Sequence, residues 1–392
     1  MKTKKSLPIL FAVMFLVMVG FGIIIPVLPF YAEEMGASAF DLGLLMALYS
    51  LMQLLFAPFW GRVSDRIGRK PVIMIGIIGL SLSFFLMALA TQLWMLFAAR
   101  IIGGLLSAAN MPTVMAYVAD ITTEDDRGKG MGIIGASVGL GFIFGPAIGG
   151  IFSDISLHMP FYLAGASSLL TFFIVLTFLQ ESLTKDDRNK HEAKQKVSLQ
   201  KVIKQPVSIL LFLQLFISLS LSGLEATFAY FAAAKADLGT VSLGYIFMIM
   251  GLAGAVVQGG LIGKLTKKWG EGNVIQLGII VSAIGFLLIL FVDNFTTAAI
   301  FLTIFGIGNS VIRPCVSSLL TKMSKAGHGS TTGLLSSFDS LGRIIGPPLG
   351  GLLYAVAIGL PYYAGIILSI IAFILYRFFY SSQTEKGAQQ TQ

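Results

Sequence analysis

The chain is poor in charge. Only 12% of its 392 residues are Asp, Glu, Lys or Arg, while 56% are hydrophobic. A soluble domain carries roughly a quarter charged residues, so water cannot be the solvent for most of this surface. One cysteine, Cys315, excludes an intramolecular disulfide and a cysteine metal cluster. The three histidines, His158, His191 and His328, fall at predicted loops, too dispersed to argue for a metal site. No G-x-x-x-x-G-K-[ST] phosphate loop occurs, and no nucleophile set is clustered. Neither ATP hydrolysis nor covalent catalysis therefore has residues to run on, and the chain reads as a non-enzyme without cofactor. Alternating apolar and polar segments of about ten residues are missing, which argues against a β-barrel.

What the chain has instead is long apolar runs. Twelve are predicted, at about 7–31, 41–62, 71–90, 93–120, 129–153, 159–181, 207–231, 241–263, 273–292, 296–321, 330–355 and 360–380. About 20 apolar residues at 1.5 Å rise cross a ~30 Å hydrocarbon core, so the fold class is an all-α membrane protein. The start, MKTKKSLPILFAVMFLVMVGFG, has the basic front of a signal peptide. Its apolar run is too long and shows no A-x-A-like site, so it is expected to stay as the first span. Of 27 basic residues, 23 fall between spans on one side, including Lys2, Arg62, Arg127, Lys264 and Arg377. The other side has Lys235 alone. Basic residues stay cytoplasmic, which predicts a multi-pass protein of a bacterial cytoplasmic membrane with both termini inside. The net charge of +8 follows from topology and gives no reason to invoke nucleic acid.

The polar stretch 182–206 separates six spans (1–181) from six (207–392), the predicted bundles. The halves repeat each other. GFIFGPAIGG at Gly141–Gly150 returns as GRIIGPPLGG at Gly342–Gly351. Gly132, Gly141, Gly145, Pro146, Gly149 and Gly150 reappear 201 residues later, as do Pro160 and Tyr162. A weaker match links GRVSDRIGRK (61–70) with GKLTKKWGEG (263–272). Six spans repeated in the same orientation are parallel repeats, which place a substrate site at their interface near the midplane. The glycine stripes are expected to pack across that seam, because small residues every four positions allow close helix approach in lipid.

GRVSDRIGRKPVI (61–73) lies in the turn between spans 2 and 3. Gly61 and Gly68 suit a tight turn and close helix approach. Asp65 can offer charge to a neighbouring helix N-terminus, and Arg66, Arg69 and Lys70 hold the inner face. Here the chain resembles the major facilitator superfamily, whose signature at this loop is G-x-x-x-D-R-x-G-R-K. That resemblance implies a conformational latch between the halves. Asp120, at the inner end of span 4, is a candidate partner for Arg69. Lys267 and Glu271 replace Asp65 and Arg69 in the second copy, so the latch should be asymmetric. The spacing G-x8-G-x3-G-P-x2-G-G of span 5 is similar to the antiporter signature of that superfamily's drug/proton antiporters. GFGIIIPVLPFY (20–31) resembles their first span, with two prolines suggesting a bend beside a central cavity.

Five charges fall inside spans: Arg100, Glu225, Arg313, Asp339 and Arg343. A charge at the bilayer centre costs about 2.5–3.5 kcal/mol on insertion scales, so each is a functional candidate. Glu225 is a lone acid amid apolar residues, suited to holding and releasing a proton. Asp339 and Arg343 are four apart and share a helix face, as a neutralising pair or as part of a site. Gln53 is a polar group suited equally to substrate contact and to interhelix bonding. Phe21, Phe142 and Phe228 are candidates for an aromatic cavity wall, which favours cations. Arg100 resembles the superfamily's span-4 R-x-x-x-G element, which implies a part in proton coupling.

At Glu225, Arg313 and Gln53 the chain resembles Gram-positive multidrug exporters of the quinolone-resistance type, over essentially its whole length. Ser310 stands where they have an acid three residues before the span-10 arginine, and Asp339 and Arg343 have no expected counterpart. The second carboxylate has on this view moved from span 10 to span 11. The resemblance implies a proton-driven secondary transporter exporting small amphipathic, often cationic drugs by alternating access, working as a monomer in lipid and linked to antibiotic resistance. Glu225, Asp339, Arg100 and Arg313 would serve coupling, and protons would be the coupling ion. The alternative is a dedicated exporter or symporter of one metabolite, anionic if Arg313 and Arg343 face the cavity.

Overall fold

The computed structural model describes residues 2–183, 208–323 and 328–389. Most of the expected linker 182–206, with His191, lies outside them, as do the side chains of Lys2 and His328. The described residues are helical, with no strand among them. The helices are α1 (Lys2–Glu34), α2 (Ala39–Ile67), α3 (Arg69–Ala88), α4 (Leu93–Ser107), α5 (Asn110–Ile121), α6 (Glu124–Ser153) and α7 (Met159–Phe178). Then come α8 (Ser208–Ala236), α9 (Thr240–Val256), a π-helical turn Val257–Leu261, α10 (Ile262–Ile289), α11 (Phe295–Met323), α12 (His328–Val356) and α13 (Leu360–Gln389).

Among the described residues, ten stretches are long and apolar enough to cross a membrane. One, Thr240–Ile289, is 50 residues and holds two crossings, divided at Gly270, whose φ is +75°. Helix α12 is 29 residues, long enough to cross, but its Asp339, Arg343, glycines and prolines lower its hydropathy. Span 4 is broken into α4 and α5. Pro112 lacks a donor and its ring crowds the carbonyl of Ala108, where the break falls. Pro26 and Pro29 sit inside α1, which continues unbroken to Glu34. Large apolar side chains point outward along most helices, as at Phe178 (68% exposed) and Phe378 (73%). Such a surface suits hydrocarbon rather than water.

The chain forms two compact units, residues 1–194 with 239–248, and 195–238 with 249–392. The segment 239–248 thus groups with the first unit rather than with the expected 207–392 bundle. Its reason is a close crossing. Gly150 and Gly244 lie so near that a Cβ on Gly244 would come within 3.1 Å of the Gly150 Cα and 2.6 Å of the Pro146 carbonyl. Ser153 Oγ donates to Thr240 Oγ1 at 2.6 Å beside it.

The glycine ladder packs differently from expectation. In the first unit Gly141, Gly145 and Gly149 meet the backbone of α1 at Met18, Val19, Gly22 and Ile23. A Cβ at Gly145 would stand 2.7 Å from the Gly22 Cα and 2.8 Å from the Val19 carbonyl oxygen. In the second unit Gly342, Gly346 and Gly350 meet α8 at Ser218, Leu219 and Gly223. Gly141, Gly145 and Gly149, like Gly342, Gly346 and Gly350, therefore bind the first and fifth spans of one half to each other, while Gly150 and the Pro146 carbonyl meet Thr240, Val241 and Gly244 of the other sequence half, so only that part of the ladder packs as expected. Gly22 and Gly223 are themselves 201 positions apart, so the repeat extends to the partner helix. Gly132 and Gly333 take no part: nothing lies within 4 Å of a Cβ built on either. Aromatic plugs repeat too, with Tyr31 against Phe161 at 4.9 Å and Phe231 against Tyr362 at 4.5 Å.

Candidate functional site

Three clusters collect the singled-out residues. The first is the turn between α2 and α3. Gly68, at φ +110°, makes the corner. Gly61 does not serve close approach: it lies within α2 with open space around it. Arg69 is buried, 3% exposed, and its guanidinium reaches Asp65 Oδ1 at 2.5 Å, Asp120 Oδ2 at 3.1 Å and Ser64 Oγ at 2.7 Å. Asp65 is thus a partner of Arg69 and not the cap of a neighbouring helix. That cap is Glu181, unnoticed in the sequence, which accepts from the Arg69 and Lys70 amides at 2.8 and 3.2 Å. Ser182 Oγ donates to Asp120 at 2.8 Å, and Arg66 is exposed. All these partners of Arg69 lie in the first unit.

The counterpart in the second unit has reversed charge. Gly270 makes the corner, Glu271 follows it, and Lys322 on α11 pairs with Glu271, joined by Ser318 Oγ at 3.0 Å. Gly68, Arg69 and Asp120 map on Gly270, Glu271 and Lys322, each 202 positions on. The Lys322 ammonium holds the Glu271 carboxyl, which lies in the turn between the two crossings, below the usual carboxylate range. Lys267 takes no part in the described ion pairs.

The second cluster surrounds Tyr49, another residue not singled out. Its hydroxyl shares a 2.7 Å hydrogen bond with Ser107 Oγ, and Gln53 Nε2 donates to it at 3.1 Å. Phe21 lies 5.4 Å from the Tyr49 ring and 5.6 Å from Phe142. The Arg100 guanidinium stands 4.9 Å from the ring centroid. Arg100 is 4% exposed, and its Nε finds no hydrogen-bond partner among the described residues. A desolvated cation–π contact offers about 2 kcal/mol, comparable with the ~2.5–3.5 kcal/mol cost of a charge in lipid. Tyr49 is thus what makes a buried Arg100 tolerable. Phe228 is fully buried in the second unit.

The third cluster is electrostatic and lies in the second unit. Asp339 on α12, 9% exposed, is the hub. Its Oδ1 accepts from Gln214 Nε2 at 2.8 Å and from Ser218 Oγ, both on α8. Its Oδ2 faces Arg343 Nε at 3.4 Å and Arg313 Nη2 at 3.6 Å. The four-residue spacing of Asp339 and Arg343 made that pair legible. Arg313 arrives from α11, and nothing local in sequence announces it. Gln214 and Ser218 were missed, although two polar residues four apart in an apolar span are a visible signal. Ser310, at the position of the missing acid, donates to the Ile307 carbonyl at 2.8 Å. Glu225, two turns along α8, is half-buried, and Arg343 and Asp339 are the charges that act on it. It makes no hydrogen bond or ion pair among the described residues.

Comparison with known proteins accounts for this architecture. The family model described as Major Facilitator Superfamily matches residues 10–275 and 259–392. Multidrug resistance protein 2 of Bacillus subtilis (strain 168) is 34% identical over 373 residues, covering 94% of this chain and 93% of that protein. Quinolone resistance protein NorA of Staphylococcus aureus (strain MSSA476) is 32% identical over 375 residues, covering 95% and 96%. Among solved structures, the human organic anion transporter MFSD10 (TETRAN) matches with TM-score 0.70 at 22% identity, covering 96% of this chain and 100% of that one. The nucleoside transporter NupG matches at 0.76 and 15%, covering 96% and 98%. These two share the fold. The chain belongs to the Major Facilitator Superfamily and is an all-α, multi-pass membrane transporter.

Proposed function

We propose that this member of the Major Facilitator Superfamily is a proton-driven exporter of small amphipathic, often cationic compounds, in the manner of multidrug efflux. The observation that carries the reading is Glu225: an acid inside a span, with no described hydrogen-bond partner, next to a cluster whose other acid is already engaged. The names of the bacterial relatives, which concern multidrug and quinolone resistance, support the same substrate class. The coupling ion is the proton, no other cofactor is invoked, and transport rather than catalysis is the activity.

In the mechanism, Glu225 is alternately exposed to the two sides of a bacterial cytoplasmic membrane. On the inner side a substrate cation favours the deprotonated carboxylate. On the outer side the substrate leaves and a proton takes its place. The neutral carboxyl then permits return. Arg313, Asp339 and Arg343 set the field at Glu225, and Arg100 does so for the Tyr49 wall, where Phe21, Phe142 and Gln53 offer aromatic and polar contact to a substrate. Arg69, Asp65 and Asp120 clamp the inner turn of the first unit. Both termini lie on the cytoplasmic side by the basic-residue bias, and each chain works as a monomer.

A second reading, a dedicated proton-coupled transporter of one anionic metabolite, is favoured by Arg313, whose side chain is 56% exposed. Cells expressing the chain, challenged with several unrelated cationic dyes, separate the two. Lowered accumulation of several dyes, reversed by a protonophore, is expected. Unchanged accumulation of every dye, with movement of one organic anion, would replace the first reading by the second.

A further inference from the structure

We infer that Asp339 is a permanently charged positioning residue that holds Arg313 and Arg343, leaving Glu225 as the only carboxyl of the cluster that exchanges a proton during transport. This rests on the reading of Glu225 as the proton carrier and goes beyond it, because it assigns unlike roles to two acids acting on each other in one unit.

Both oxygens of Asp339 are engaged. Oδ1 receives the Gln214 amide at 2.8 Å and the Ser218 hydroxyl. Oδ2 accepts from Arg343 Nε at 3.4 Å and forms an ion pair with the Arg313 guanidinium, whose Nη2 stands 3.6 Å away. Gln214 Nε2 also donates to Ser218 Oγ at 3.1 Å, which aims the hydroxyl proton of Ser218 at the carboxylate. Every group described against the carboxylate is therefore a donor, from α8, α11 and α12 alike. Three of the four neighbours, the Gln214 amide nitrogen and the two guanidiniums, can only donate to the carboxylate or attract its charge, and the Ser218 hydroxyl would have to give up its own donation before it could accept from a carboxylic acid. Glu225 has the opposite surroundings, with no hydrogen bond among the described residues to break on protonation.

The charge balance points the same way. Glu225 and Asp339 carry two negative charges, and Arg313 and Arg343 two positive ones. A proton on Glu225 leaves one unmatched cation, which half-exposed Arg313 can carry. A second proton, on Asp339, would leave both guanidiniums unmatched in a membrane-spanning cluster, each with the insertion penalty of a lone charge. One carboxyl can cycle in this cluster and two cannot. Ser310 leaves α11 with no acid of its own beside Arg313, so Asp339 serves both arginines.

The test is infrared difference spectroscopy of the full chain reconstituted in liposomes, titrated from alkaline to acid pH. Subtracting each variant from the wild type isolates single carboxyls from the exposed ones. Glu225→Gln is expected to abolish one pH-dependent carboxylic-acid carbonyl band. Asp339→Asn is expected to abolish no such band and to remove a carboxylate signal present across the whole titration. Loss of an acid carbonyl band in Asp339→Asn would overturn the inference. Loss of none in Glu225→Gln would instead sink the proposed proton carrier, with Asp339 still judged on its own variant. Should Asp339→Asn fail to fold, the double variant Asp339→Asn with Arg313→Gln keeps the cluster's charge sum. It is read the same way, with the same overturning result.

Discussion

The crossing of α1 and α6 allows one side chain's worth of overpacking to be worked through. Gly145→Ala places a methyl carbon 2.7 Å from the Gly22 Cα and 2.8 Å from the Val19 carbonyl oxygen. Ordinary carbon contacts sit at about 3.5–4.0 Å, and both obstacles are backbone, so no side-chain rotation relieves them. The helices must part by close to an ångström along the whole stripe. Overpacking of this kind costs about 3 kcal/mol, and the better helix propensity of alanine returns about 1 kcal/mol. The net loss is about 2 kcal/mol, or about 4–8 °C in the midpoint for a unit of some 200 residues. Gly132→Ala in the same helix meets nothing within 4 Å and is expected to keep the propensity gain, about 2–4 °C upward. The second unit supplies an internal repeat: Gly346→Ala should fall and Gly333→Ala should rise. Thermal unfolding of purified chain in detergent, followed by tryptophan fluorescence, reads all four. A Gly145→Ala midpoint equal to or above that of Gly132→Ala would refute the close crossing.

Two further outcomes concern the inner turns. Arg69→Gln strips the guanidinium from Asp65 and from solvent-exposed Asp120 and should cost about 1.5–3 kcal/mol, the worth of hydrogen bonds to charged groups, whereas exposed Arg66→Gln should stay within about 0.5 kcal/mol; the same thermal assay compares them. Glu271 is held below its usual range by Lys322, so its contribution is present above the unfolded carboxylate value and is lost as pH falls through the folded one. Unfolding midpoints of wild type and Lys322→Met should therefore differ at neutral pH and converge in acid; a gap that persists in acid would mean the pair is not electrostatic.

Much of this architecture could be read from residues in order. The 201-residue repeat marked the parallel halves, because glycine and proline landmarks record helix geometry that apolar residues do not. Asp339 and Arg343 shared a helix face by spacing alone. The direction in which the glycine stripes pack was not legible. A stripe of small residues announces a close neighbour but carries no label for it, and the answer lay in Gly22 and Gly223 on other helices. Arg69 and Asp120 were joined by their ends of spans, yet Glu181 was missed because an acid just past a span looks like ordinary solvated sequence. Tyr49 escaped notice for a related reason: one aromatic among 11% aromatic residues has no distinguishing pattern until Arg100 is placed over its ring. Phe228, a candidate for an aromatic cavity wall, is fully buried, since an apolar aromatic in a span packs inward as readily as it lines an open space.

In the proposed function, proton exchange at Glu225 drives export. Proteoliposomes holding wild type or Glu225→Gln, loaded with a cationic dye, should be placed under an imposed pH gradient and then under its reverse. Wild type is expected to move dye against its gradient in the direction opposite to proton flow and to reverse when the gradient does, while Glu225→Gln is expected to lose the response to either. Undiminished pH-driven dye movement in Glu225→Gln would remove Glu225 from that role.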